Sequence, residues 1–528
     1  MNIKNTMIKL VAVFAAALAA STVGAETFRY STSGDILGLD PYTNNEGPTN
    51  TMKSNLYEGL LHRSWDLSLH PALATEWQQS SPTQWRFNLR QGVTFHNGNS
   101  FTADDVLASL ERIRQPDSDM TFAVASIERI EKVDDHTIDI ITKNPDPTLL
   151  LNLPLFWIMD KEWLEENDAF TLETGATVKT FANLNVNGTG PFMLEEWVPD
   201  TRTVLRPNPN WWGTPAHNLT EAVFTPIGNA ATRVAALLSG EIDLMYPVPL
   251  QDIPRLENTP GISALQGAEL RTIFFGFDQH RDELLDMPGS GKNPFKDVRV
   301  RKAFYQAIDI EAIKRAVMRK ASTPSGLMIA PGINGYQEDM NDRFAYDPEE
   351  SKRLLAEAGY ADGFEVTLDC PNDRYVNDEA ICIAVVPMLK RVGIDVKLNA
   401  QTKSLHFQKI GQTENWNTSF FMLGWTPGSY DAHNPLNQLM SVDGEGQGTW
   451  NCGRYSNPRI EELTDLIAKE TDTAKRNEMI REAFQIHKDE VGHIPLHQQA
   501  LAWGIGKRVK EVKQRPYNDV DLRYVIMN

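Results

Sequence analysis

FEVTLDCPNDRYVNDEAICIAVVPMLKRVGIDVKLNA, Phe364 to Ala400, is the stretch whose reading decides the fold. FEVTLDC and IDVKLNA are strand-like runs, and NDEAICIAVVPMLKRVG between them has the start signals and apolar body of a helix. Strand, helix and strand in that order form a βαβ unit from Phe364 to Leu398, which places the chain in the α/β class. Ligands of open α/β sheets sit outside the carboxyl ends of strands. The loop CPNDRYVND is therefore a candidate site, with Arg374 and Tyr375 its most useful side chains.

Outward from this unit the same vocabulary continues. TQWRFNLRQ and TRTVLRPN alternate as half-buried strands do. FTADDVLASLERIRQ predicts a helix with Thr102 as N-cap, acids in its first turn, and Val106, Leu107 and Leu110 at helical spacing. YDPEESKRLLAEAGY repeats the logic, with Asp347 as cap, Pro348 at the first helical position and Gly359 closing the helix. No fixed-period repeat, low-complexity tract or proline-rich linker interrupts the chain. With 528 residues, 41% of them hydrophobic, it is too long for one small domain, and two lobes that share chain crossings are expected.

The first residues carry Lys4 and Lys9, an apolar run from Leu10 to Ala20, and Val23-Gly24-Ala25 before Glu26. This is the pattern of a secretory signal peptide over residues 1–25, with cleavage expected after Ala25. The run is too short for a stable anchor, and no later segment reaches the roughly 20 apolar residues of a membrane helix. No cysteine follows it for lipid attachment, so a soluble periplasmic protein without membrane insertion is expected. The formal charge of −19 includes two leader lysines and no leader acids, so the mature chain is more acidic still. Such a field repels nucleic acid and anionic lipid, and suits a freely diffusing protein, expected as a monomer. Among Cys370, Cys382 and Cys452, the pair chosen for a disulfide is Cys370 with Cys382, since one ends a strand and the other lies early in the following helix.

Catalytic and metal motifs fail one after another. PGSGKN lacks a phosphate-binding loop's first glycine, because position 286 is Asp286, and Asn293 stands where Ser or Thr should reach magnesium. His493 and His497 are four apart, but Pro495 between them breaks the helix that would align them on zinc. No GxSxG elbow is present. In GWTPGSYDAHNPL, Gly424 to Leu436, the residues Ser429, Asp431 and His433 do not make a triad on sequence alone, because triads are recognised by geometry rather than by position. Asp431 and His433 could serve acid–base chemistry there, while Trp425 and Tyr430 could offer flat apolar faces to a ligand.

WRFNLRQGVTFHNGNSFTADDVLASLERI, Trp85 to Ile113, resembles the aromatic strand, Gly-Val-x-Phe-His-x-Gly turn and Phe-Thr-Ala-x-Asp-Val helix of the family 5 extracellular solute-binding proteins, the receptors of ABC importers. LYEGLLHRSWDLSLHPALATEWQ, GTGPFMLEEWVPDTRTVLRPNPNWWG, RVAALLSGEIDLM, NPFKDVRVRKAFYQAID, YDPEESKRLLAEAGY and HIPLHQQALAWG follow the family's order along nearly the whole mature chain. The resemblance implies a two-lobed periplasmic-binding-protein fold of the class II, cluster C type, with a ligand cleft between the lobes. One lobe would comprise residues 26–271 with 500–528, including an inserted subdomain at about 72–185, and the other residues 272–499. It also implies an inner-membrane permease as partner, no cofactor and no catalysis.

In peptide-binding members, as the resemblance has it, the Gly-Trp motif lines the cleft and an aspartate four residues after its glycine pairs with the peptide's α-amino group. Here that position is Gly428. Asp431 could reach the same cation if the Pro427-Gly428 turn folds back, or could cap the segment around Asn434. Arg374 matches in location the group that meets a ligand carboxylate, a task suited to the planar guanidinium fork; alternatively it pairs with Asp373 or Asp378. The expected ligand-binding set is Ser33, Arg374, Tyr375, Trp425, Thr426, Tyr430, Asp431 and His433, with no metal ligands. The leading expectation is a receptor for short peptides; the alternative is a receptor of the same fold for an opine, an oligosaccharide or a metal chelate. A secreted hydrolase would need a convergent nucleophile and base, and a chaperone-like binder a large exposed apolar patch.

Overall fold

A computed structural model describes residues 26–173, 180–411, 417–442 and 447–528. The leader expected over residues 1–25 lies outside them. Among the described residues an 11-stranded sheet organises the chain. Two long antiparallel strands, Ser263–Phe277 and His493–Ile505, run through its middle. Phe420–Trp425, Phe364–Pro371 and Ile394–Gln401 follow on one side. On the other come Leu244–Met245, Thr27–Ser31, Glu221–Phe224, Arg202–Pro207 and Phe192–Val198, and the eleventh strand, Thr323–Pro324, pairs with His493–Ile505 off this order.

The stretch that opened the reading forms the expected βαβ unit. Phe364–Pro371 and Ile394–Gln401 pair in parallel from Phe364 opposite Ile394 to Pro371 opposite Gln401. Helix Asp378–Lys390 joins them and packs on both. Cys370 and Cys382 are disulfide-bonded, which ties the end of the first strand to the first turns of the helix. Cys452 is a buried thiol, its pKa pushed up to about 12 by burial. Local signals read from the sequence also recur: Thr102 and Asp105 form a capping box on helix Ala103–Ile113, and Asp347 accepts from the Glu350 amide at the start of helix Pro348–Glu357.

A separate four-stranded antiparallel sheet, Ala74–Ser81, Gln84–Leu89, Thr137–Thr142 and Ile127–Asp134, lies within the span expected to be inserted. Helix Ala103–Ile113 packs beside its last strand. One hydrophobic core gathers Phe28, Leu56, Phe87, Phe156, Trp503 and Leu522, so the two ends of the described chain share it. A second surrounds Phe275, Phe304, Leu368, Val385 and Phe420. A third surrounds Leu423, Leu436, Ile460 and Phe484.

The two central strands lose register at their midpoint. Ala268 faces Ala500, and pairing resumes only at Thr272 opposite Gln498. The residues between them use other partners. Gln499 Nε2 donates to Glu269 Oε2 at 2.5 Å, Arg271 Nε pairs with Glu269 at 3.1 Å, and the Leu270 amide donates to the Pro516 carbonyl at 2.9 Å. A break of this kind bends both strands at the same level. It falls where the sequence reading divides the lobes, at 271/272 and 499/500.

Candidate functional site

Helix Gly47–Leu56 begins at Glu46, whose carboxylate accepts from the Thr49 amide at 2.7 Å. The chain leaves this helix through Tyr57, Glu58 and Gly59. A Cβ at Gly59 would stand 2.4 Å from the Leu153 carbonyl oxygen, so only glycine lets the two backbones meet. That contact brings the segment after the helix against Pro154 and Trp157. Together they wall a cavity of about 900 Å³, part of it open to solvent. Its remaining walls are Phe122, then Gly428 and Tyr430 from the GWTPGSYD segment, then Arg515, Tyr517, Asp519 and Arg523 from the C-terminal segment.

Most charges around the cavity are paired. Arg523 places Nε and Nη2 on the two oxygens of Asp521 at 2.9 and 2.8 Å, and Arg515 Nη1 meets Asp519 at 2.6 Å. His62 Nδ1 lies 3.1 Å from Arg523 Nη2, and burial together with that cation pushes its pKa down to about 2. Glu58 accepts from Trp211 Nε1 at 3.1 Å, Trp212 Nε1 at 2.8 Å and Thr189 Oγ1 at 2.9 Å. Burial nonetheless raises its pKa, because all three donors are neutral. Four buried atoms of lining residues have no partner among the described residues: Asn50 Oδ1, Tyr57 Oη, Asp519 Oδ1 and Arg515 Nε. Buried polar atoms are almost always paired in folded proteins, which makes these four the exceptions around the cavity.

Of the expected ligand-binding residues, Tyr430 lines the cavity. Its backbone is left-handed, with φ 55°, and its ring is held between the Arg63 guanidinium, 4.1 Å from the ring centre, and the Tyr517 ring at 5.5 Å. The others lie outside the lining. Asp431 is fully buried; Arg476 grips both its oxygens at 2.6 and 2.9 Å, and Asn334 Nδ2 donates to it at 2.6 Å. It also accepts from the His433 amide at 2.8 Å, at the start of helix His433–Leu439. Trp425 Nε1 donates to Asn434, and the Thr426 hydroxyl is buried without a partner among the described residues. The half-buried His433 ring has its pKa lowered, by burial first.

Tyr375 is buried, and its hydroxyl accepts from the Gly424 amide at 2.9 Å. Arg374 is exposed above the Tyr375 ring, and neither Asp373 nor Asp378 forms a salt bridge with it; Asp378 instead accepts from the Arg374 and Tyr375 amides. Ser33 is exposed beyond the first strand. Sequence reasoning missed Arg63, Tyr57, Arg515 and Asp519. The signal was present in LYEGLLHRSW, where charged residues interrupt an apolar run, a combination that marks buried charge.

Glu58, His62 and Ser54 do not converge on a reacting atom: Ser54 Oγ donates to the Thr51 carbonyl, and His62 is engaged by Arg523 and Tyr524. His487 Nε2 and His493 Nδ1 are hydrogen-bonded at 2.9 Å inside the protein, and no helix is long and apolar enough to cross a membrane among the described residues. A large mixed sheet with a partly open, polar-and-apolar cavity beside its register break is the architecture of a solute-binding receptor. The family model for bacterial extracellular solute-binding proteins, family 5, matches residues 68–447, and the chain belongs to that family.

It is 27% identical to the dipeptide-binding protein of Escherichia coli K12, covering 96% of each chain. It is 28% identical to the heme-binding protein A of Haemophilus influenzae, covering 93% of this chain and 90% of that one. The fold matches that of the periplasmic binding protein DppA of Helicobacter pylori, solved with the peptide STSA, with a TM-score of 0.75 at 24% identity over 94% of this chain and 97% of that one. Proteins of this family are transport receptors, so the chain binds a solute rather than transforming it.

Proposed function

We propose that this protein is a periplasmic receptor that captures short peptides in the cavity beside Tyr430 and delivers them to an inner-membrane ABC permease. The observation that carries the reading is the mixed lining of the cavity, with Asn45, Asn50, Arg63 and Arg523 beside the apolar faces of Phe122 and Trp157. A peptide offers amides and carbonyls to the former and side chains to the latter. The dipeptide-binding relative supports the same class of ligand. Export through the leader, with cleavage after Ala25, and action as a monomer belong to the proposal. So do lobes at residues 26–271 with 500–528 and 272–499, supported by the register break at Glu269–Arg271. Ligand bridging the lobes would stabilise a closed state that the permease recognises.

A second reading, a receptor for a non-peptide solute, is favoured by Gly428, which brings no carboxylate to the cavity wall. Native mass spectrometry of the protein purified from periplasm, before and after acid release, separates the two. A ladder of di- to tetrapeptide masses is the expected result. A single non-peptide mass would overturn it.

A further inference from the structure

Three arginines line the cavity, and they differ in one respect. Arg515 and Arg523 are paired with Asp519 and Asp521. Arg63 forms no salt bridge among the described residues, although it is only 6% exposed. Its Nη1 donates to the Leu67 carbonyl at 3.0 Å and its Nη2 to the Leu151 carbonyl at 2.8 Å. A guanidinium has five N–H groups, so those two bonds leave donors to spare. Tyr430 covers one face of the guanidinium, and the charged group nearest in effect is another cation, Arg515, whose Nη2 donates to the Arg63 carbonyl at 3.1 Å. Arg63 is thus a nearly buried guanidinium in the cavity wall with no carboxylate paired to it, beside a second arginine whose charge is already matched. Burying an uncompensated cation is costly, and an anion that arrives with the ligand removes that cost.

We propose that the cavity selects ligands carrying a free carboxylate, and that Arg63 seats it. The fork geometry of Arg63 matches a carboxylate in a way a lysine would not. On this assignment the anion is read by the segment following helix Gly47–Leu56, and the exposed Arg374, which lies outside the cavity lining, is not its seat.

The inference rests on the cavity being the ligand site of the proposed receptor, and its test separates it from the peptide reading. Ligand-stripped protein is titrated calorimetrically with a tripeptide library carrying free C-termini, with the same library amidated, and with suberate and suberamide as a non-peptide pair. The expected result is binding at least about tenfold tighter for acid than for amide. Arg63→Gln should erase that difference, Arg63→Lys should restore it in part, and Arg374→Gln should leave it intact. Preference for acid within the suberate pair alone would overturn the peptide reading and keep the Arg63 site. Peptides that bind equally as acid and amide would overturn the Arg63 site and keep the peptide reading. Binding in neither series overturns both. Should Arg63→Gln fail to fold, Arg63→Lys carries the comparison, and an acid preference undiminished in it overturns the Arg63 site.

Discussion

At Asp431, itself without exposure, both carboxylate oxygens are occupied by Arg476, Asn334 and a backbone amide. Its removal leaves Arg476 buried without a counter-charge, so Asp431→Ala should destabilise the protein by about 3–5 kcal/mol, measured by urea unfolding. A stability unchanged within error would mean the pair is solvated. Gly424 answers a steric question instead. A Cβ there would lie 2.7 Å from Ile273 Cδ1 and 2.8 Å from Tyr375 Cε1, so Gly424→Ala must push the Tyr375 ring aside, at roughly 1–3 kcal/mol. Near-ultraviolet circular dichroism would register the displaced tyrosine. Neither outcome was legible in GWTPGSYD itself. Acid and aromatic types are visible in a sequence, but whether an acid meets a ligand or an internal arginine 45 positions away depends on contacts no local pattern encodes.

Elements were far more legible than side-chain roles. The caps at Thr102 and Asp347, and the βαβ unit from Phe364, follow from local rules that operate over a few residues. The disulfide was chosen on the same basis, because the end of a strand and the first turns of the next helix are forced close by the turn between them. It closes a loop with a sequence separation of 12, so Cys370→Ser with Cys382→Ser should lower stability by about 3 kcal/mol in the chain-entropy account, read from chemical unfolding with and without reductant. The bend in strands Ser263–Phe277 and His493–Ile505 was not legible as such. Its cause is a mismatch between two strands more than two hundred residues apart, and neither carries a glycine or proline at the break.

For the molecule as a whole, the buried histidines set a pH response. Burial pushes His493 and His497 down to about 3, against an ordinary value of 6.5. The unfolded chain therefore binds protons that the folded one refuses, and stability falls as pH drops from 6.5 toward 3, by up to about 1.4 kcal/mol per pH unit for each histidine. Asp105, raised to about 6 by burial, acts oppositely between about 6 and its unfolded value of 3.8, and offsets one of them. The urea midpoint should thus fall between pH 6.5 and pH 4.5; a flat profile over that window would show that these rings are solvated. His493→Phe, which keeps an aromatic ring and removes the titrating nitrogens, should flatten the slope.

By itself the sequence determined the class of fold, the family and the helix and strand signals, because these rest on periodicity, capping and segment order that survive in one dimension. Only the tertiary structure decided which polar groups reach the cavity. Tyr57, Arg63, Tyr430 and Asp519 are scattered over more than four hundred and fifty positions and become neighbours when the two ends of the chain share one core and the GWTPGSYD segment folds against it. Whether a charged side chain faces a ligand, as Arg63 does on this reading, or an internal partner, as Asp431 does, is settled by the low-dielectric surroundings each acquires on folding, where an unpaired charge is costly enough to dictate its neighbour.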